Sequence, residues 1–310
     1  MITFISSPKP FEGVAHLNQY RAIRSWLAAG DDIEVILYGT SLGIEEAGRE
    51  LGVKVVKDIQ SSSNGIPYFG AIVEHAKVNA RYDLQVYLNC DILVVGMVSA
   101  LRKIEFTDFL LVGERVDLGE GAFVEISRPD WKQRLAELCE KGQAQLHGPT
   151  GIDYFAFRRG FWKELPPVVV GRGGYDNALL AYCIRRRVPI IDGTPSIAAL
   201  HQFHNYGHVN GGLKTVFWGH DANVNYQTGG GRYSSTLVSD AGWVLREGKA
   251  VSWPCRGDWL RRTELNWRYV KGWRRPALML RVLWRLGNTV GLTKPCWHEI
   301  KTLLSGWASL

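Results

Sequence analysis

The chain has 310 residues, of which 46% are apolar, and a formal net charge of +7. This composition excludes an intrinsically disordered protein, and the length allows a full hydrophobic core. Five widely separated cysteines without a C-x-x-C pair argue against a disulfide framework or a zinc ribbon and favour a reducing cytosol. No segment approaches about twenty uninterrupted apolar residues, so no transmembrane helix is expected.

The first two-thirds of the chain alternates short apolar runs with segments of helical periodicity, a pattern typical of an α/β sheet. Strands are predicted at 2–5, 34–39, 53–56, 84–88, 109–113, 154–157 and, as the last of the sheet, 188–191. Helices are predicted at 14–29, 43–51, 68–80, 130–138 and 176–186. The stripe of the first helix expected to face the sheet consists of Leu17, Tyr20, Ile23 and Leu27. Asp130 and Gln133 are spaced for a capping box.

The later part of the chain differs in composition. Residues 211–248 are rich in Gly, Asn, Ser and Tyr, which predicts irregular loops. Residues 256–310 contain eleven Lys or Arg against three acidic side chains, a net charge of +8, and six of the twelve tryptophans. We therefore expect three units: a domain at 1–212, a loop-rich segment at 213–255, and a basic, Trp-rich helical extension at 256–310.

Asn89 and Asp91 directly follow the apolar strand 84–88. Oxygen ligands at a strand end can hold a divalent cation against a diphosphate, because Mg²⁺ and Mn²⁺ prefer oxygen donors and phosphate completes their coordination. The alternative is an ordinary turn, in which Asn and Asp are common because their side chains bond the local backbone.

Three further groups of polar residues can carry chemistry. Asp176 follows a glycine-rich loop at the start of a helix, where it can deprotonate an acceptor hydroxyl or simply cap the helix. Asp153, at the mouth of a strand, can bind sugar hydroxyls or lie solvated at the sheet edge. The cluster of His201, His204 and His208 can supply metal ligands or donors to a diphosphate; a closed zinc site and ordinary surface or core positions are the alternatives.

The order of these features resembles the glycosyltransferases of GT-A fold, the nucleotide-diphospho-sugar transferase superfamily. The features that carry the resemblance over residues 1–212 are a first strand ending in Ser6-Ser7, the Asn64-Gly65 turn, the strand ending in Asn89-Cys90-Asp91, the Gly174-Tyr175-Asp176 segment that opens a helix, and the downstream histidines. The resemblance implies a Rossmann-type mixed sheet flanked by helices, extended here by the basic C-terminal segment.

The resemblance also implies roles for individual residues. Asp91 matches the last aspartate of the family's Asp-x-Asp motif, and Asn89 replaces the first, which lowers the local negative charge. Asp176 stands at the position of the catalytic base of inverting members, with Tyr175 in place of a glutamate. The implied metal, Mn²⁺ or Mg²⁺, is held by Asp91, His204 and His208. The nucleotide-sugar is bound by Ser6, Ser7, Asn64, Gly65, Asn89 and Asp91, and donor or acceptor sugars are bound by Asp153, Gly174, Tyr175 and Asn177.

The basic extension combines tryptophans with an apolar, Arg-containing helix at 276–290. This combination favours an anionic membrane surface, where rings and cations are both satisfied. Packing of the same helices against the catalytic domain is the alternative. Nucleic acid is not expected, because no nucleic-acid-binding module accompanies the charge.

We therefore predict a cytoplasmic glycosyltransferase, peripheral on the inner membrane surface, that moves a sugar from a nucleoside-diphosphate donor to a glycan or lipid-linked acceptor in polysaccharide biosynthesis. A sugar nucleotidyltransferase is one alternative, although Ser6-Ser7-Pro8-Lys9 supplies no glycine-rich loop after the first strand. A non-catalytic membrane-surface adaptor with a degenerate sugar-nucleotide fold is the other.

Overall fold

A computed structural model describes residues 1–204, 211–232, 236–252, 259–289 and 298–307. The strands are β1 (Ile2–Ser6), β2 (Ile33–Tyr38), β3 (Lys54–Val56), β4 (Leu84–Leu88), β5 (Ile92–Val95), β6 (Leu110–Val112), β7 (Val116–Leu118), β8 (Ala144–Leu146), β9 (Tyr154–Arg158), β10 (Ile190–Asp192), β11 (Ala198–His201), β12 (Trp243–Arg246) and β13 (Lys249–Ser252). The helices are α1 (Gly13–Leu27), α2 (Ile44–Leu51), α3 (Phe69–Asn79), α4 (Met97–Leu101), α5 (Trp131–Glu140), α6 (Tyr175–Arg186), α7 (Gly212–Trp218), α8 (His220–Thr228), α9 (Trp259–Leu265), α10 (Arg274–Thr289) and α11 (Ile300–Gly306).

A nine-stranded sheet forms the centre of the fold, in the order β13-β12-β10-β6-β9-β4-β1-β2-β3. Its strands run in one direction except β9, which is antiparallel to β4 and β6, and β13, which is antiparallel to β12. A second sheet of four strands has the order β5-β11-β7-β8. The expected mixed α/β sheet flanked by helices is therefore confirmed.

The central strands are apolar on both faces because helices cover the sheet on both sides. Ile2 and Phe4 of β1 pack on one side with α1, α2 and α4, whereas Ile5 packs on the other side with α3 and α6. A third cluster joins the small sheet to α5 and α11 and includes the fully buried Trp307. Side chains of β1 thus contribute to the packed clusters on both sides of the sheet. The loops at the carboxyl ends of the strands lie between these two layers of helices.

The sheet continues beyond the strand that was expected to end it. β12 pairs with β10 and β13 pairs with β12, so residues after 212 contribute to the main sheet. The expectation of irregular loops at 211–248 is also wrong, because α7, α8 and β12 lie there. The composition misled because the glycines of this segment flank short helices: Gly211, with a φ of 83°, precedes α7. The division of the chain into three units stays a prediction.

Two local predictions need correction. Of the stripe predicted for α1, Ile23 is buried and Tyr20 and Leu27 pack against the same core, but Leu17 is 54% exposed. The buried face of α1 also includes Asn18, Gln19, Ala22 and Trp26. Asn18 and Gln19 are buried because their amides bond loop backbone near β1 and β11. Asp130 precedes α5, but its carboxylate binds Arg128, so no capping box forms.

The C-terminal segment is tied to the rest of the fold by buried charges. Arg261 donates to both carboxylate oxygens of Asp240, at 2.8 and 2.6 Å, and to Glu264 at 2.5 Å. Glu264 also accepts from Arg268 at 2.5 Å. Trp307 donates from its indole nitrogen to the Thr194 carbonyl at 3.0 Å. One side of the C-terminal segment therefore packs against the rest of the protein, as the alternative to a membrane surface expects. Among the described residues, we find no helix with the length and apolarity needed to span a bilayer.

A small cluster of ionisable groups lies under α11, at the carboxyl ends of β6 and β10. Glu114 is 2% exposed, and its Oε2 has no hydrogen-bond partner among the described residues. Burial and the nearby Asp192 raise the pKa of Glu114 to about 7, against a smaller opposing effect of His298. Burial lowers the pKa of His298, but its 2.6 Å bond to Asp192, together with the charges of Asp192 and Glu114, outweighs burial and raises the pKa of the imidazole. Ionised Glu114 is thus poorly accommodated in the folded protein.

We expect Glu114→Gln to change stability in a pH-dependent way. Because the folded-state pKa lies above the unfolded value, the favourable contribution of protonated Glu114 is full below about pH 4.5 and is lost as pH rises through 7. The difference in free energy of unfolding between the variant and the wild type should therefore be more favourable to the variant at pH 8 than at pH 4.5, by on the order of 2 kcal/mol. Urea unfolding at the two pH values measures this. Glu105→Gln, at an exposed position, is the control. Equal changes at both pH values for Glu114→Gln would contradict this assignment.

Candidate active site

A cleft of about 620 Å³ opens at the carboxyl ends of the parallel strands. Its floor comes from loops 7–10, 39–41 and 89–91, which follow β1, β2 and β4. The chain leaves β1 toward β2 on one side, while β4 lies on the other side, so the cleft occupies the point where the strand order reverses. Ligands of open α/β sheets bind at such points, and this volume suits a small-molecule site.

The register of β4 and β9 brings two predicted polar residues together. Leu88 lies opposite Tyr154, so the next residue of one strand, Asn89, meets the preceding residue of the other, Asp153. The Asn89 side-chain amide donates to Asp153, and its oxygen accepts from the Tyr175 hydroxyl at 3.1 Å. A carboxylate at position 89 would instead repel Asp153 and could not donate to it. Asn89 is therefore the residue type that this contact requires.

Asp91 is the centre of a second group of polar side chains. It is 3% exposed, and its Oδ2 lies 2.5 Å from Lys9 Nζ, 3.1 Å from His204 Nε2 and 3.8 Å from His201 Nε2. Its Oδ1 has no hydrogen-bond partner among the described residues. Burial raises the pKa of Asp91, but Lys9 and the two imidazoles outweigh that effect and hold the pKa well below its usual range. Asp91 is consequently an anion at neutral pH.

Asp91, His201 and His204 can hold a metal ion, since one ligand atom from each lies within 4.8 Å of the others. The unsatisfied Oδ1 of Asp91 fits this use, because it is a buried acceptor aimed at no protein donor. Burial lowers the pKa of His201 despite the attraction of Asp91, which keeps the imidazole neutral and able to ligate. Mn²⁺ or Mg²⁺ is the expected ion, and two imidazoles favour Mn²⁺, because Mg²⁺ prefers an all-oxygen environment.

Asp176 lines the same cleft from the first turn of α6. Its Oδ1 accepts from the backbone and side-chain nitrogens of Asn177, at 2.8 and 2.9 Å. Burial raises its pKa, and the nearby Asp153 adds to this, against the lowering effect of the Asn177 bonds. The carboxylate thus accepts bonds from the next residue and faces the cleft with a raised pKa, but it does not cap α6, whose N-cap is Gly174 without a side-chain cap bond.

The glycines before Asp176 leave room for the side chain of Tyr226. A Cβ at Gly173 would lie 2.6 Å from the Tyr226 hydroxyl, and one at Gly174 would lie 2.6 Å from the Tyr226 ring. Gly174 also has a φ of 79°. Close packing against Tyr226 of α8 therefore gives one reason for glycine at these two positions, and both glycines also line the cleft.

The other predicted residues divide into three groups. The side of the cleft near β1 and β2 includes Ser7, Asn64 and Gly65, and Asp153, Gly174 and Tyr175 line it elsewhere. Two residues do not line it: the Ser6 hydroxyl is buried and donates to the Leu88 carbonyl at 2.6 Å, and the Asn177 oxygen accepts from the Thr236 backbone at 2.8 Å. His208 lies outside the described residues.

Two residues of the site were missed by sequence reasoning. Lys9 follows β1 and reaches Asp91 only through the fold. Arg115 donates to Asp153 and, at 2.7 Å, to Asp117, which joins the small sheet to the cleft. His201 was recognised as a member of the histidine cluster, but the resemblance assigned the metal to His204 and His208, whereas His201 is the histidine that lies with His204 near Asp91. No local signal marked Lys9 or Arg115, since their partners are distant in the sequence.

Comparisons with known proteins identify no family for this chain. No protein-family model matches it, and no curated protein matches it. Among solved structures, glucosyl-3-phosphoglycerate synthase from Mycobacterium tuberculosis in complex with UDP is similar over 82% of this chain and 87% of that chain, at 16% identity and a TM-score of 0.42. The same enzyme with Mn²⁺, UDP-glucose and phosphoglyceric acid has 16% identity, coverages of 82% and 86%, and a TM-score of 0.42.

A protein from Desulfovibrio desulfuricans G20, described as a nucleotide-diphospho-sugar transferase, is similar over 62% of this chain and 78% of its own, at 12% identity and a TM-score of 0.37. At such identities, and with TM-scores below 0.5, these likenesses support no conclusion about residues, substrates or activity. The chemistry of the cleft therefore has to be inferred from its own side chains.

We expect Mn²⁺ to raise the melting temperature of the wild-type protein and Asp91→Asn to abolish the shift. A ligand that binds only the folded state stabilises it by about 2.7 kcal/mol at a hundredfold excess over Kd. Differential scanning fluorimetry with Mn²⁺, Mg²⁺ and Ca²⁺ measures this, and Mn²⁺ should give the largest shift. Asp58→Asn, at an exposed position, is the matched control. An equal Mn²⁺ shift in Asp91→Asn would exclude the site.

Proposed function

We propose that the protein is a metal-assisted glycosyltransferase that moves a sugar from a nucleoside-diphosphate donor to a hydroxyl acceptor. The observation that supports this most is the presence in one cleft of a candidate metal site, at Asp91, His201 and His204, and a half-buried carboxylate with a raised pKa, Asp176. Displacement at an anomeric carbon needs both: a cationic group for the departing diphosphate and a base for the attacking hydroxyl.

In this proposal each group has one task. A divalent ion held by Asp91, His201 and His204 would supply positive charge to the departing diphosphate. Ser7, Asn64 and Gly65 lie on the side of the cleft near β1 and β2, where they contact the nucleotide. The pair of Asn64 and Ser62 is held in place by Asp221, which accepts from both side chains at 2.9 and 3.1 Å.

Asp176 would take the proton of the acceptor hydroxyl, which implies inversion at the anomeric carbon. Asp153 and Tyr175 bind sugar hydroxyls, and both are oriented in advance by Asn89. Preorganised groups of this kind contribute because their orientation costs nothing when the substrate binds. The nucleotidyltransferase alternative requires a glycine-rich loop after β1, and the segment Ser7-Pro8-Lys9-Pro10 does not provide one. The adaptor alternative gives no role to the raised pKa of Asp176.

We further propose that the acceptor is a glycan or a lipid-linked sugar at an anionic membrane surface, which makes the protein peripheral on the cytoplasmic side. The support is the orientation of α10. Its inner face carries Ala277, Arg281 and Trp284, which are 8% exposed or less. Its outer face consists of Leu278, Met279, Val282 and Leu283, all 50% or more exposed.

Cations surround this outer face of α10. Arg274, Arg275 and Arg285 of α10 are exposed, as are Trp273, directly before this helix, and Trp259, at the start of α9. Aliphatic side chains with flanking arginines and tryptophans match the two layers of a membrane interface, acyl chains below and anionic headgroups above. Anionic lipid is therefore the occupant to which we assign this face.

We expect Asp176→Asn to lower turnover by about 10²- to 10⁴-fold, which is the contribution of a positioned general base. A thermal-shift screen of UDP, GDP, CDP and dTDP with Mn²⁺ first identifies the nucleotide, and hydrolysis of the corresponding sugar donor is then measured. The variant should keep the nucleotide-dependent shift of the wild type, because Asp176 is not assigned to nucleotide binding.

Asp108→Asn, at an exposed position, is the control for this experiment. Intact turnover in a folded Asp176→Asn protein would remove the base assignment. If none of the four nucleotides gives a shift, the adaptor alternative would be preferred to the transferase.

We expect the double variant Met279→Ser, Leu283→Ser to bind vesicles of phosphatidylcholine and phosphatidylserine about tenfold or more weakly than the wild type, because each exposed side chain loses apolar area buried in the bilayer. Vesicle co-sedimentation measures this. Leu42→Ser, Val78→Ser removes two similarly exposed apolar side chains elsewhere and should have no effect. Equal binding to vesicles of phosphatidylcholine alone would contradict the role of the arginines.

A further inference from the structure

Lys9 lies among the atoms proposed to hold the metal. Its ammonium nitrogen is 2.5 Å from Asp91 Oδ2 and 2.8 Å from His204 Nε2. In the ligand-free protein, therefore, a protein cation neutralises the carboxylate. His204 Nε2 can accept from Lys9 or donate to Asp91, 3.1 Å away, but it cannot do both in one tautomer.

The position of Lys9 is built into the loop after β1. Its backbone nitrogen donates to the side-chain oxygen of Gln19 at 2.7 Å, and the Gln19 amide returns a bond to the Lys9 carbonyl at 3.0 Å. Gln19 is 1% exposed, and Pro8 and Pro10 on either side of Lys9 restrict the backbone further. This loop aims the lysine at Asp91 independently of any ligand.

A metal ion and the Lys9 ammonium cannot share this place. A bond from a divalent ion to His204 Nε2 is about 2.0–2.2 Å long and uses the single lone pair of that nitrogen, which faces the Lys9 ammonium 2.8 Å away, so the ion takes the place of the lysine whichever Asp91 oxygen it binds. Repulsion between the two cations adds to this exclusion. We propose that Lys9 is a resident counter-ion of Asp91 that a divalent cation must displace.

The displaced lysine has a second partner available. Its side chain is 27% exposed and lines the cleft, so it can turn from Asp91 toward the diphosphate of a donor. A diphosphate then favours metal binding, both as a ligand and by accepting Lys9, and the metal favours diphosphate binding by the same factor. This step rests on the proposed function, because it takes the diphosphate as the anion that the cleft binds.

The test is Mn²⁺ binding to the whole protein, with and without inorganic pyrophosphate, measured from the electron paramagnetic resonance signal of free Mn²⁺. Lys9→Gln should bind Mn²⁺ alone at least about tenfold more tightly than the wild type. Pyrophosphate should strengthen Mn²⁺ binding by a smaller factor in the variant than in the wild type. Lys54→Gln is the matched control, since Lys54 also makes a 2.5 Å ion pair, with Glu34, outside the residues that line the cleft.

Equal or weaker Mn²⁺ binding by Lys9→Gln would overturn displacement, as would an absence of Mn²⁺ binding by both proteins. Loss of pyrophosphate binding by Lys9→Gln in the presence of a chelator, with no gain in Mn²⁺ affinity, would also overturn it and make Lys9 a permanent substitute for the metal. Mn²⁺ binding needs neither donor sugar nor Asp176, so the result is independent of whether glycosyl transfer is found.

Discussion

The charge of Asp91 is the constraint on which the cleft depends. A carboxylate that is 3% exposed is costly unless it is compensated by cations or hydrogen-bond donors. Here the compensation comes from loops that follow different strands: Lys9 after β1, and His201 and His204 at the end of β11. The strand β5 begins directly after Asp91 and pairs with β11, so Asp91 lies where the main sheet meets the small sheet. Satisfying Asp91 therefore fixes how the sheets meet.

The reversed strand β9 supplies the second constraint. Since it is antiparallel to β4, its first residues lie at the edge where the parallel strands end, and Asp153 arrives beside Asn89. Arg115, from the small sheet, then closes the far side of Asp153. Two carboxylates are thus held apart in one cleft with different environments: Asp91 is paired with cations and strongly acidic, and Asp176 is bonded by an amide and less acidic. A difference in pKa of this kind distinguishes a carboxylate that binds a cation from one that can act as a base.

The sequence predicted the elements that follow from local periodicity and the polar residues at their ends. The strands β1, β2, β3, β4, β6, β9 and β10 of the main sheet, the site loop at 89–91 and Asp176 belong to this group, because an apolar run ending in a polar residue needs no long-range information. The small sheet of β5, β7, β8 and β11 was not predicted, since its strands are only three or four residues long. Asn89 was read as a weakened aspartate, whereas its amide is selected by Asp153, which is 64 positions away. Lys9 gave no signal for the same reason, since its partner follows a different strand. The stripe predicted for α1 missed Asn18 and Gln19, because apolar periodicity cannot identify amides that are buried by bonding loop backbone.

The C-terminal segment shows why local amphipathicity cannot by itself assign a face. In α10 a buried arginine and a tryptophan face the protein, and the aliphatic side chains face outward, the reverse of an ordinary surface helix. The inner side can be charged because Arg261, Arg268, Glu264 and Asp240 pair within it. Burial and repulsion from Arg261 lower the pKa of the Arg281 guanidinium to about 10, so burial of this charge is unfavourable by itself. The charged inner face and aliphatic outer face are the basis for our proposal that the outer surface of α10 has its own partner, and the flanking cations are the reason that we propose an anionic bilayer, which would balance both the charge and the apolar area.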